Sequence, residues 1–247
     1  MTTIATRSHA QVAAHVAATI DGIFAMIDGW RDHLEALLGA DAALSAARVD
    51  PLVEAFAVPA VSGETLLTGA GFVAQPGVLA DAEWHLAWWL GGTGRPLRRL
   101  ATIDDPSHDQ FRDYTALEWW RVPTTTGGRH LTGPYVDYLC TDDYTVTITT
   151  PVRVDGAIVG VVGADALVDR LERALLPAMR TGETPATLVN ASGRIVTSTD
   201  ARREPGSILR TEGLTEAIRG ASAEPVPVAG GAVLACGDTS LALLVGV

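Results

Sequence analysis

The strongest constraint on the fold is a pair of strand-like segments joined by a tight turn. Residues 144–150 (YTVTITT) alternate threonine with β-branched apolar residues, and residues 157–163 (AIVGVVG) are almost wholly apolar. Such residues favour strands, and the intervening Asp155-Gly156 is a typical turn dipeptide. Leucines at helical spacing follow over residues 167–176. The pattern predicts a central antiparallel hairpin that leads into an amphipathic helix.

A long amphipathic helix is predicted before this hairpin, at the N-terminus. Ser8 and Gln11 have the spacing of a capping box, and Gly39 is a typical helix end. Between them, apolar residues recur every three or four positions over about 30 residues, which makes a rod of roughly 45 Å. Two interpretations stay open: the helix is a spine or homodimer seam, or it lies along the sheet of its own chain.

The remaining pattern indicates two modules of mixed α and β structure. After residue 180 the composition shifts toward short strands, with turn dipeptides at Ser192-Gly193 and Gly230-Gly231. The expected fold is α+β, with two modules that each contain a central antiparallel sheet. The expected divisions are a long helix (1–44), a first, ligand-binding module (45–178) and a smaller second module (179–247). Other predicted elements are strands at 72–75 and 84–90 and helices at 51–57, 111–120 and 214–218.

Charge and composition exclude several classes of function. The chain has 18 basic and 29 acidic residues, a formal charge of −11, and every basic residue is an arginine. A negative protein repels nucleic acid and anionic membrane surfaces. Without lysine there is neither a Schiff base nor a Walker-type phosphate loop. Cys140 and Cys236 are too few for a disulfide framework or a cysteine-rich zinc site, and two free thiols are favoured over a pair.

Targeting and cofactor motifs are also lacking. The N-terminus does not follow the pattern of a signal peptide, and no apolar run approaches the about 20 residues that span a bilayer. The six histidines form no metal-binding motif, and residues 160–165 (GVVGAD) have two glycines but do not match the Gly-x-Gly-x-x-Gly pattern of a dinucleotide loop. We therefore expect a cytoplasmic protein with no membrane, nucleic-acid, metal or cofactor partner.

Four motifs in the aromatic and acidic region 114–165 resemble the Cache sensor domains, the PAS-like ligand-binding modules of chemoreceptors and sensor kinases. They are the pair Trp119-Trp120, residues 133–137 (GPYVD), the strand end 149–152 (TTPV) and residues 160–165. Their order and spacing are similar to the double-Cache form, which has a long first helix and a smaller second module. The resemblance implies a sensor that binds a small molecule and does not catalyse. Because the sequence shows no kinase, methyl-accepting or DNA-binding segment, we expect any signal to pass through a separate partner protein.

The resemblance also implies which positions contact the ligand. In the amine- and amino-acid-binding members, an arginine two residues before the first helix-end aromatic binds the ligand carboxylate. Leu117 stands at that position here, which argues against an amino acid ligand. The matching contact positions are Trp119, Trp120, Tyr135, Asp137 and Asp165.

Elementary chemistry independently favours a cationic ligand. An organic ammonium ion gains about 0.5–2 kcal/mol from each well-placed aromatic face. A neighbouring carboxylate adds a charge-assisted hydrogen bond. We therefore expect an amine or other cationic metabolite, and the candidate contacts include Tyr114 and Glu118 beside the five positions above.

Structural roles are the alternatives for several of these residues. The tryptophans and Tyr135 could be core residues, Asp165 could cap the following helix, and Glu118 could be an ordinary solvated helix residue. Two other functions also stay open. One is an enzyme of unknown reaction that uses Asp137, Asp165 and His130, and the other is a carrier that holds its ligand without signalling.

Overall fold

The computed structural model describes residues 6–39, 43–138 and 143–246. The chain divides into two compact units. The first comprises the described parts of 1–22, 133–136 and 168–247, and the second comprises those of 23–132 and 137–167. The module boundaries predicted after residues 44 and 178 stay predictions.

The long N-terminal helix, α1 (His9–Leu38), is confirmed. Its capping box is reciprocal: the Ser8 backbone N–H donates to Oε1 of Gln11, and the Gln11 N–H donates to Oγ of Ser8. Its apolar face, which includes Ile20 and Ile27, is buried within the chain, as expected for a helix that lies along its own protein. By length and composition alone α1 is apolar enough to cross a membrane, in contrast to the expectation from the sequence that no segment approaches such a span. Within the structure, 44% of its most apolar stretch is buried.

The next element is a six-stranded antiparallel sheet, in which β1 pairs with β6 although they are far apart in the sequence. In space the strands run β3-β2-β1-β6-β5-β4, and β5 and β6 form the predicted central hairpin. The strands are β1 (Leu67–Ala74), β2 (Leu86–Leu90), β3 (Arg98–Arg99), β4 (His130–Val136), β5 (Tyr144–Val154) and β6 (Ala157–Leu167).

Residues 23–38 of α1 and a shorter helix, both in the second unit, flank opposite faces of this sheet. Thr150 on β5 donates to Asp28 of α1, whereas its neighbour Thr149 donates to the backbone of α3 (Glu118–Thr126). Because successive side chains on a strand point to opposite faces, α1 and α3 cover different faces. A further helix, α2 (Ala46–Ala60), packs against β1 and β2.

The first unit contains a five-stranded antiparallel sheet in the order β8-β7-β11-β10-β9. Its core includes Val189, Leu214, Val233 and Leu244. The elements are α4 (Val168–Met179), β7 (Ala186–Asn190), β8 (Ile195–Ser198), α5 (Leu214–Arg219), β9 (Val226–Val228), β10 (Gly231–Ala235) and β11 (Leu241–Val245).

Several predicted boundaries are wrong. The single helix expected over 111–120 is a 3-10 turn at Tyr114–Ala116 followed by α3, because Leu117 between them is extended. Strand β6 continues through Asp165, and α4 begins only at Val168, so Asp165 is not a helix cap. Cys236 is buried, whereas Cys140 lies outside the described residues.

Candidate functional site

Asp165 is a buried carboxylate in the middle of the six-stranded sheet, where its side chain is 3% exposed. Its Oδ2 accepts a hydrogen bond from Nε1 of Trp88 at 3.2 Å, and its Oδ1 accepts one from Oγ1 of Thr147 at 2.6 Å. Among the described parts of the chain, none of the ion pairs involves Asp165. The carboxylate is therefore held by two neutral donors.

Glycines on β1 make this arrangement possible. A Cβ on Gly69 would lie 2.6 Å from both Asp165 Oδ2 and Trp88 Nε1, and one on Gly71 would lie 2.8 Å from Cα of Trp88. Since neither glycine has a side chain, the Trp88 indole can lie across β1 and reach the carboxylate on β6. The Trp88 indole and the Asp165 carboxylate therefore occupy the space above these two glycines.

A second buried acid, Asp137, stands next to β4 and is also 3% exposed. Burial, and after it the charge of Asp137, raise the pKa of Asp165 to about 7. Both effects disfavour the ionised carboxyl. A cation placed beside Asp165 would oppose both effects by favouring the ionised carboxyl, so the site is electrostatically suited to positive charge.

An aromatic cluster surrounds Tyr114, whose ring stacks on Trp119 at 6.4 Å and meets Trp120 edge-on at 5.2 Å between centroids. The Tyr114 hydroxyl donates to the Ala74 carbonyl at 2.7 Å, which fixes the ring in place. Burial raises the pKa of Tyr114 to about 12, so the phenol is neutral at physiological pH. The structure therefore brings together the three aromatic residues predicted at 114, 119 and 120.

Helix α3 is attached to the same sheet face that carries Asp165. Pro123 lies four residues after Trp119 and has no N–H to donate to the Trp119 carbonyl. That carbonyl instead accepts from Oγ1 of Thr149 at 2.8 Å. Thr147 and Thr149 share one face of β5 by the two-residue period of a strand, so the aromatic helix and the carboxylate lie over one surface.

The other predicted residues have separate environments. Glu118 is the first residue of α3 and is half exposed. Its Oε1 lies within hydrogen-bond distance of Nε2 of His130, at 2.9 Å. Tyr135 lies in segment 133–136 of the first unit and is half-buried. The ligand-contact roles of all seven candidates stay predictions.

Sequence reasoning missed Trp88, Thr147 and Thr149 as parts of the site. The available signal was the run of threonines at alternate positions of an otherwise apolar strand. Buried hydroxyls need hydrogen-bond partners, so a buried face of threonines indicates a polar site next to it. Within the described residues, no group of three or more His, Cys, Asp or Glu side chains could hold a metal ion.

Comparison with known proteins identifies the class of this fold. Residues 100–173 match the sequence model of the first PDC sensor domain of methyl-accepting chemotaxis protein-like proteins. The similar solved structures include methyl-accepting chemotaxis protein X, with a TM-score of 0.66 and 16% identity over 96% of this chain and 93% of that one.

Two other similar structures are ligand-binding domains of Pseudomonas chemoreceptors. That of CtaA from Pseudomonas fluorescens, in complex with L-valine, has a TM-score of 0.59 and 16% identity over 96% of this chain and 92% of that one. That of the amino acid chemoreceptor PctC from Pseudomonas aeruginosa PAO1, in complex with GABA, has a TM-score of 0.53 and 17% identity over 95% of each chain. At these identities the structural likeness shows the fold.

The predicted α+β fold, with a long N-terminal helix and two antiparallel sheets, is therefore confirmed. The resemblance to Cache sensor domains is confirmed as well, because PDC domains are the same class of module. The match of residues 100–173 to a chemoreceptor sensor domain bears out the prediction of a sensor domain rather than an enzyme.

Proposed function

We propose that this sensor domain of the Cache type binds a small organic amine, whose ammonium group is bound at Asp165. The observation that carries the proposal is the buried Asp165 carboxylate, which neutral donors hold and no described ion pair neutralises. A second buried acid, Asp137, adds negative charge to the same region. A buried carboxylate is costly in free energy without a positive partner, and an ammonium ligand would supply it.

The aromatic cluster supports the same ligand class. Trp119 and Trp120 are both buried and lie on the helix that covers the carboxylate face. Indole faces attract organic cations through the negative potential above the ring. Leu117, at the position where the resemblance implies an arginine for a ligand carboxylate, offers no positive charge. An amine without a carboxylate therefore fits better than an amino acid.

The sharpest test compares two ligands that differ by one group. Isobutylamine is L-valine without its carboxylate, so titration calorimetry with each isolates the contribution of that carboxylate. We expect isobutylamine to bind at least about tenfold more tightly than L-valine. L-valine binding more tightly than isobutylamine would overturn the proposal.

Variants then assign the binding to the carboxylate. Asp165→Asn should weaken isobutylamine binding by at least about tenfold, because it removes the negative charge without changing the shape of the side chain. Asp169→Asn is the matched control, since Asp169 is exposed and pairs with Arg173. Equal affinities for wild type and Asp165→Asn would contradict the site.

Signalling through a separate partner protein, a homodimer formed through α1 and a cytoplasmic location all stay predictions. The apolar face of α1 is buried within the chain, so a dimer would need contacts from its exposed residues. Gel filtration with light scattering distinguishes a monomer from a homodimer. A monomeric mass would contradict the homodimer, and it would not affect the ligand proposal.

A further inference from the structure

The side chain of Thr132 on β4 carries a buried hydroxyl that has no hydrogen-bond partner among the residues that the structure describes. The residue is 5% exposed. By contrast, the buried hydroxyls of Thr147, Thr149 and Thr150 on the neighbouring strand each donate to a partner. A buried polar group without a partner costs free energy. The Thr132 hydroxyl is therefore available to a bound molecule.

Thr132 points to the sheet face that α3 covers. Arg129, just before β4, has its guanidinium over the ring of Phe24 on α1, at 4.4 Å from the ring centroid. The next residue, His130, lies 2.9 Å from Glu118 at the start of α3. Because side chains alternate along a strand, Thr132 points to the same side as His130. This is the face that carries the candidate carboxylate site.

Thr132 also lies close to the level of Asp165 along the strands. Strands β4 and β5 have a short connection and are therefore antiparallel, and the Asp137 N–H donates to the Asp143 carbonyl at 3.0 Å. Thr132 is five residues before this bond, and the β5 residue five after it is the neighbour of Thr147. Asp165 pairs with Thr147, so Thr132 and Asp165 differ by at most about two residues along the strands.

The separation of the two side chains across the sheet suits a short ligand. One strand, β5, lies between β4 and β6, so Thr132 and Asp165 are about 10 Å apart across the sheet. A ligand atom at about 2.8 Å from each side chain leaves about 4–5 Å between the two ligand atoms. An extended three-carbon chain between two polar atoms spans about 5 Å.

The ligand group at Thr132 should be polar and uncharged. A charge placed there would meet a single neutral hydroxyl, which does not compensate for the lost hydration of an ion. A hydroxyl on the ligand fits, because it can accept from the threonine hydroxyl or donate to it.

We propose that Thr132 binds the hydroxyl of an amino alcohol whose ammonium group is bound at Asp165. The inference rests on the proposed function, because the distance is measured from that carboxylate. It narrows the ligand class from amines in general to amines that carry a hydroxyl about three carbons from the nitrogen.

Titration calorimetry with 3-aminopropan-1-ol and n-butylamine tests the contact, because the two ammonium ions differ only by a hydroxyl in place of a methyl group. We expect wild type to favour 3-aminopropan-1-ol by at least about fivefold. Thr132→Val replaces the hydroxyl by a methyl group and should reduce the preference to about twofold or less. The same variant should bind n-butylamine at least as tightly as wild type does.

Two further variants and a stability measurement separate ligand contact from a structural effect. Thr132→Ser keeps the hydroxyl and should keep the preference. Thr150→Val is the matched control, since Thr150 is a buried threonine of the same sheet whose hydroxyl donates to Asp28 on α1, and it should also leave the preference unchanged. Urea unfolding of the ligand-free protein should show no loss of stability for Thr132→Val, because the hydroxyl that it removes has no described partner.

The outcomes separate the two proposals. Equal affinities of the two amines in wild type, or a preference that persists in Thr132→Val, would overturn the contact at Thr132. If Asp165→Asn still weakened binding of both amines in that case, the carboxylate site would stand. If Asp165→Asn left both affinities unchanged, the carboxylate site would be wrong, and the amino alcohol with it.

Discussion

At the scale of single residues, the proposed site depends on the protonation state of Asp165. Its pKa of about 7 lies far above the ordinary value of 3.8, chiefly because the group is buried and secondarily because Asp137 is near. A carboxyl whose pKa is raised on folding binds an extra proton in the folded state. The free energy of unfolding therefore falls as pH rises from about 4 to about 7.

Asp165→Asn should remove this dependence on pH. Asparagine resembles the protonated acid: its oxygen can accept from Trp88 and its amide can donate to Thr147. The variant should gain stability relative to wild type as pH rises through this window, by at most about 1.4 kcal/mol per pH unit. Urea unfolding between pH 4 and pH 8 measures the difference. For the exposed control Asp169→Asn, the difference in unfolding free energy from wild type should not change with pH. If the difference for Asp165→Asn were also independent of pH, the raised pKa would be contradicted.

The sequence indicated the two acids of the candidate site but not the residues that hold Asp165. Asp137 and Asp165 could be found because their motifs keep their order and spacing along the chain. Trp88 could not, because its role depends on the register that sets Gly71 opposite Trp88 and Gly69 opposite Asp165. Strand register is a property of long-range pairing, which local sequence does not specify.

At the scale of elements, the attachment of α3 to β5 compensates for a proline. Pro123 cannot donate to the Trp119 carbonyl, and the Thr149 hydroxyl takes the place of the missing N–H. The hydrogen bond therefore has two roles, since it satisfies a buried carbonyl and holds the two tryptophans over the sheet face.

Thr149→Val should lower the free energy of unfolding by about 1–3 kcal/mol, because it leaves that buried carbonyl without a donor. In a Pro123→Ala background the helix regains the N–H, so the same substitution should cost less. A double-mutant cycle by urea unfolding measures this coupling. If Thr149→Val cost the same in both backgrounds, the compensation would not exist.

Elements with strong local patterns were predictable, and the others were not. The β5–β6 hairpin and α1 follow from β-branched residues and helical periodicity, and both are present. The start of α3 was misplaced because Asp113 caps a separate turn, with its carboxylate accepting from the Thr115 N–H, and Leu117 is extended. The position of Asp165 within β6 was also missed, because its pairing with Gly69 and Thr147 continues the strand beyond its apolar run.

At the scale of the whole molecule, a sensor responds to the binding free energy of its ligand. The raised pKa of Asp165 couples that binding to the release or uptake of protons. If the ligand is an ammonium ion at Asp165, as proposed above, it binds the ionised carboxyl, so that binding lowers the pKa of Asp165 and releases a proton. Ligand affinity must then depend on pH. A ligand that lowers the pKa of a carboxyl is bound more tightly at pH values where that carboxyl is already ionised.

Isobutylamine affinity should therefore rise as pH increases from 5.5, by at most about tenfold per pH unit, and level off above about pH 7. The amine stays protonated throughout this range, so the change in affinity with pH comes from a titrating group of the protein. Calorimetry in two buffers of different ionisation enthalpy should detect release of up to one proton below pH 7. Asp165→Asn should bind weakly with no proton release, whereas Asp169→Asn should behave as wild type. Proton uptake on binding, or an affinity independent of pH in wild type, would show that the ammonium group does not meet Asp165.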